Sequence, residues 1–165
     1  MAMIDSLLHE LEQEAHTTRR VLERVPDNQL GWRPHEKART LGELALHVAG
    51  TPGAVATLAA QSEIQAPNFT DPVPKSASEL IPALEESIAT AKRLLGSMDD
   101  AALSAKWRMM RDGREVLSIP RVAFLRSIML NHWYHHRGQL SVYLRELGVP
   151  IPSIYGPSAD ENPFQ

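Results

Sequence analysis

Apolar side chains recur every three or four residues through Ile4, Leu7, Leu8, Leu11, Ala15, Thr18, Leu22 and Val25, the spacing of one helical face. A first helix is expected over 3–25, stopped by Pro26. After a polar turn, Thr40-Leu41-Gly42-Glu43 reads as a capping box in which Thr40 and Glu43 each satisfy a backbone donor. A second helix follows with Leu41, Leu44, Val48, Val55 and Leu58 facing inward, and Pro52 beside Gly53 predicts a kink or break near 50–53. Residues 65–75 carry Pro67, Pro72 and Pro74 and read as irregular linker. A third helix starts at Ser76 or Ser78 and runs to about Leu95, with Leu80, Leu84, Ile88, Ala91 and Leu95 on one face and Gly96 ending it. Asp112-Gly113 between Trp107 and Val116 is a two-residue hairpin signal. Ser118-Ile119-Pro120 is then read as the cap and first turn of the longest helix, which continues to about Leu147 before Gly148 and Pro150.

Four helices that are long relative to most of their connections predict an all-α four-helix bundle. The long 65–75 connection permits a crossover, and a small β-hairpin precedes the last helix. Length supports this, because 165 residues suit one domain, 1–165, with 150–165 as an irregular tail. Charge narrows the partners: Lys+Arg 17 against Asp+Glu 20 gives a net charge of −3 with no basic run, so neither nucleic acid nor membrane is an expected partner. No signal peptide or apolar span is visible, and a cytoplasmic protein is expected. The absence of cysteine removes thiolate nucleophiles and ligands, leaving seven histidines as the informative residues.

His132 and His136 lie four apart on the inward stripe Leu125, Met129, His132, His136, Leu140, Tyr143 and Leu147, so both imidazoles share one helical face. His47 falls three after Leu44 and one before Val48, at or near the core side of the second helix. Three imidazoles in an apolar bundle each bring a donor and an acceptor that must be satisfied, and a divalent metal does that. The competing reading is a set of hydrogen-bonded core histidines. His135 sits about 100° round the helix from His136 and is placed outside the cluster. His9, His16 and His35 read as solvated.

The string Asn131-His132-Trp133-Tyr134-His135-His136-Arg137-Gly138-Gln139-Leu140, the helix end at Leu147-Gly148-Val149-Pro150, Gly31-Trp32-Arg33-Pro34, and Thr40–Val48 with its central His47 together resemble the DinB/YfiT-like superfamily. The resemblance spans nearly the whole chain in order and spacing. It implies a four-helix bundle, usually homodimeric, with a divalent metal, commonly nickel or zinc, on His47, His132 and His136. It further implies a metal-dependent enzyme acting on a small-molecule substrate, either by activating a low-molecular-weight thiol for S-transfer or isomerisation, or by hydrolysis. A non-catalytic metal-binding or dimerisation module is the third alternative.

Glu43, four residues before His47, is the one carboxylate placed near the site, as an acid/base candidate or as a capping partner only. Arg137 is a candidate for binding an anionic cofactor or substrate, against the commoner fate of a salt bridge. Gln139 either serves the site or borders the helical seam. Trp32, Tyr134 and Tyr155 either wall a pocket or pack in the core.

Overall fold

The computed structural model describes residues 2–68 and 70–164; Met1, Phe69 and Gln165, the last two within the expected linker and tail, lie outside the described residues. Helix α1 spans Met3–Leu22, α2 Leu41–Ala59 and α3 Leu80–Leu95. The last long helix runs in three parts: α5 (Arg121–Phe124), a π-helical stretch (Leu125–Asn131) and α6 (His132–Glu146). A short helix, α4 (Asp100–Ser104), and strands β1 (Glu63–Gln65), β2 (Lys106–Arg111) and β3 (Arg114–Pro120) fill the connection between α3 and the last helix and the start of the α2–α3 crossover. The helical expectation holds, with a small three-stranded sheet added.

The capping box at the start of α2 is present: Glu43 N–H donates to Thr40 Oγ1 at 3.2 Å and Thr40 N–H donates to Glu43 Oε2 at 2.7 Å. Helix α2 is not broken at Pro52, contrary to one of the two expectations from sequence. Pro52 has no N–H for the carbonyl of Val48, but the buried indole of Trp133 donates Nε1–H to that carbonyl at 2.7 Å. The adjacent Gly53 lets α3 approach, since an added Cβ would lie 2.8 Å from Ser87 Cα and its N–H donates to Ser87 Oγ at 2.8 Å. A partner helix therefore supplies what the proline removes.

The hairpin is as expected at its turn, where Asp112 (φ 51°) and Gly113 (φ 74°) adopt the left-handed conformations of a two-residue connection. Strand β1 adds parallel to β2 with Ile64 opposite Met109. The start of the last helix differs from the expectation. Ser118, Ile119 and Pro120 belong to β3, opposite Arg108, Trp107 and Lys106, so the ladder claims the backbone and Ser118 caps nothing. Helix α5 begins instead at Arg121, whose buried guanidinium takes Ala59 O at 2.7 Å and Ala102 O. With Trp107 Nε1 donating to Leu58 O at 3.1 Å, the sheet and last helix satisfy carbonyls at the C-terminus of α2, and the cation suits that end of the dipole.

The core is one cluster running from Ile4, Leu7 and Leu11 of α1 through Leu41, Leu44 and Val48 of α2 and Leu80 and Leu84 of α3 to Met129, Leu140 and Leu144 of the last helix. The described part of the C-terminal segment is irregular yet pinned: Glu161 pairs with Arg20 at 2.6 Å, and Asp160 accepts from the Arg145 guanidinium and from the Ile151 N–H, the latter at 2.8 Å. No helix among the described residues is long and apolar enough to cross a membrane.

Candidate metal centre

Packing α2 against the last helix brings His47 to His132 and His136. One nitrogen from each ring lies within 4.8 Å of the others, and the ring centroids are 5.2 Å (47–132), 4.6 Å (47–136) and 4.4 Å (132–136) apart. His136 is 8% exposed, and His47 and His132 are half-buried. His135 is exposed and not among the three converging residues.

The hydrogen-bond pattern sets the tautomer of one ring. Gln139 Oε1 lies 2.9 Å from His136 Nδ1 and can only accept, so Nδ1 carries the proton and Nε2 presents a lone pair. Gln139 Nε2 in turn lies 3.5 Å from Tyr143 Oη, which donates to Arg39 O at 3.3 Å. His136 Nε2 is 2.9 Å from His132 Nε2. At most one proton can lie between those two atoms. His47 Nε2 and His132 Nδ1 are buried without a hydrogen-bond partner among the described residues. The facing Nε2 atoms of His132 and His136, with the buried Nε2 of the adjoining His47, fit a shared divalent cation.

Burial lowers the pKa of all three rings, with the Arg39 charge acting in the same direction; His47 is brought down to about 4. All three are therefore neutral near pH 7, the state in which imidazole ligates metal.

Two cavities meet at this point. One, about 340 Å³, is lined by His47 and His132 with Arg39, Asp71, Met109, Leu117 and Phe124. The other, about 270 Å³, is lined by the same two imidazoles with Leu46, Ala54, Val55, Leu58 and Pro72. Thr70 and Ile128 border both. A larger space of about 620 Å³ lies between α1 and α3 beside Ala15, Ile88 and Lys92, but it holds none of the three imidazoles and has no convergent chemistry.

The other residues singled out from sequence fall elsewhere. Glu43 is engaged in its capping box. Arg137 is 1% exposed and bound to Glu14 at 2.6 Å, Thr18 Oγ1 at 3.1 Å and Tyr155. Tyr134 and Tyr155 flank that guanidinium at 5.3 and 5.1 Å, and Trp32 packs edge-on against Tyr143. The sequence reading missed Arg39 and Asp71, 2.9 Å apart at the cavity wall. One signal was present, because a cation immediately before an N-cap opposes the helix dipole.

A helical bundle carrying a three-histidine cluster between two of its helices is the class of protein defined by these observations. The chain belongs to the DinB family, whose profile matches residues 1–163. It is 30% identical over 159 residues to the uncharacterized protein YrdA of Bacillus subtilis (strain 168), covering 96% of this chain and 91% of that one. Its fold is similar to a DinB-like protein from Bacillus cereus ATCC 10987 (TM-score 0.73, 24% identity, 92% of this chain and 97% of that one). It is also similar to YfiT from Bacillus subtilis, described as a probable metal-dependent hydrolase with an unusual four-helix bundle topology (TM-score 0.62, 16% identity, 88% and 87%).

Proposed function

We propose that the protein is a metal-dependent enzyme in which His47, His132 and His136 hold a divalent cation, nickel or zinc, and that a small-molecule thiol is activated there for S-transfer or isomerisation. The observation that carries this reading is the convergence of three neutral imidazoles, with His47 Nε2 buried among them and without a partner among the described residues. When bound, such a cation favours the deprotonated form of a thiol and withdraws charge from an electrophile. The chain's own part is to orient and to exclude water. Gln139 keeps the proton of His136 on Nδ1, so that Nε2 stays a lone pair. Met109, Leu117, Phe124 and Ile128 give the adjoining cavity an apolar wall. Two cavities meeting at His47 and His132 suit a reaction that joins two reactants. A chain without cysteine needs the sulfur to come from one of them.

Hydrolysis is the second reading, favoured by the description of YfiT. It asks for a general base, and Asp71, the carboxylate in the cavity lining, faces Arg39 at 2.9 Å. The same proposal takes residues 1–165 as one domain acting as a cytoplasmic homodimer, for which light scattering in solution is the test of assembly.

Mass spectrometry of the purified protein, as isolated and after exposure to nickel or zinc, tests the centre; a chain that retains and takes up neither discards it. A panel of small thiols with an electrophilic acceptor then tests the chemistry. Turnover that requires the thiol supports transfer, and turnover without any thiol assigns hydrolysis instead.

A further inference from the structure

Among the described residues Arg39 is the one arginine or lysine lining the cavities beside the imidazoles, and it is held unlike Arg126 and Arg20. Arg126 lays Nη1 against both oxygens of Glu10 at 2.7 and 2.8 Å, and Arg20 sets Nη2 2.6 Å from both oxygens of Glu161. Arg39 meets Asp71 through Nε at 2.9 Å, out of line for a hydrogen bond, so this buried donor is unsatisfied among the described residues. Its backbone is fixed, since Arg39 O accepts from Tyr143 and the next residue caps α2. Among the described residues its Nη1 and Nη2 make no hydrogen bond. Apolar walls beside a guanidinium lower the local dielectric, and there a fork recognises a carboxylate more strongly than in water. Asp71 sits on an exposed, irregular stretch, so its release to solvent costs little.

We propose that Arg39 is the residue that selects the reactant: it binds the carboxylate of a small molecule with an apolar body, in exchange for Asp71, and so sets the rest of that molecule beside His47 and His132. This rests on the reading of the three imidazoles as a reaction centre, but its test does not. Asp71 acts as a resident counter-ion that keeps the cation neutralised until the carboxylate arrives. An uncharged analogue of the same shape gains nothing from Arg39.

The test is titration of the chelator-treated and the nickel-loaded full chain with butyrate and, separately, butyramide, followed by NMR or calorimetry. Expected is a saturable butyrate site in both forms, weakened at least about tenfold by R39Q and less by R39K, consistent with loss of a charge-assisted pair. D71N removes the competing carboxylate and tightens butyrate by roughly two- to threefold. Butyramide binding does not respond to any of the three. Wild-type protein that takes no butyrate, R39Q that takes it unchanged, or a butyramide site equally sensitive to R39Q overturns the proposal. Should R39Q fail to fold, R39K with wild-type affinity together with D71N without gain overturns it equally. Because the chelated protein is measured, a failed metal centre and a failed Arg39 site give different results: the first loses nickel uptake, the second loses only the butyrate response.

Discussion

His136 and Arg137 are neighbours on one helix, both removed from water, and the polar groups clustered around them have opposite hydrogen-bond balances. Arg137 faces α1 and the C-terminal segment, where Glu14 and Thr18 of the helix and Tyr155 of the tail meet its donors. Tyr155 passes the chain on, donating to Glu14 Oε2 at 2.9 Å. His136 faces α2, where the cluster it joins keeps His47 Nε2 and His132 Nδ1 unpaired. A fold retains buried polar groups at low cost only when their partners come with it. The saturated side is therefore architecture that holds α1 and the tail to the last helix, and the unsaturated side is where the proposed metal would bind.

The largest effect expected comes from the saturated side. Arg137→Met strands the Glu14 carboxylate and costs about 3–5 kcal/mol of unfolding free energy in urea, with nickel uptake by the folded fraction unchanged; wild-type stability would dissolve the contrast. On the other side, His132→Ala is expected to weaken nickel binding more than about 100-fold, beyond the range of outer-shell changes. The same variant without metal should stay within about 1 kcal/mol of wild type, because an unsatisfied group is being removed. His135→Ala should bind nickel as wild type, and equal loss in both variants would mean that a different pair of rings ligates. Trp133→Phe, between the two sides, uncovers the Val48 carbonyl that Pro52 leaves without its helical donor, for an expected loss of about 1–3 kcal/mol read in the same denaturant series.

The smallest effect concerns pH. His47 titrates at about 4 in the folded chain, below the ordinary histidine value of 6.5. Between those values the unfolded chain holds more protons. The stability of the metal-free protein is thus full above pH 6.5 and declines as pH falls toward 4. Solvent screening of the half-buried ring leaves about 1 kcal/mol of the full linkage, so a drop in Tm of about 2–4 °C between pH 7 and pH 4.5 is expected, and His47→Gln should reduce it. Nickel affinity should hold through most of that window and fall as pH approaches 4, where protons begin to compete for His47.

Much of this was legible from residue order. The apolar stripes located the long helices, Thr40 and Glu43 marked one start, and Asp112-Gly113 marked the turn. Spacing put His132 and His136 on one face, and the three histidines picked out converge. Strand β1 was not legible, because three residues carry no period and their pairing with β2 is long-range. Ser118-Ile119-Pro120 looked like a helix start because a cap signal is local, whereas its strand partners Lys106–Arg108 are not. Gln139 carried no mark distinguishing a ring-orienting acceptor from a seam residue.

What the residue order determined by itself were properties with a local cause: helix periodicity, the α2 cap, the hairpin turn, and chemistry restricted to imidazole and carboxylate in a chain without thiols. What the tertiary structure alone decided was which polar groups find partners. That Arg137 is satisfied while Arg39 Nε and His47 Nε2 find no partner among the described residues, and that Trp133 repairs the helix around Pro52, depend on contacts between residues that lie from 18 to 123 positions apart. Hydrogen-bond satisfaction is a property of packed neighbours, and no periodicity along one segment encodes it.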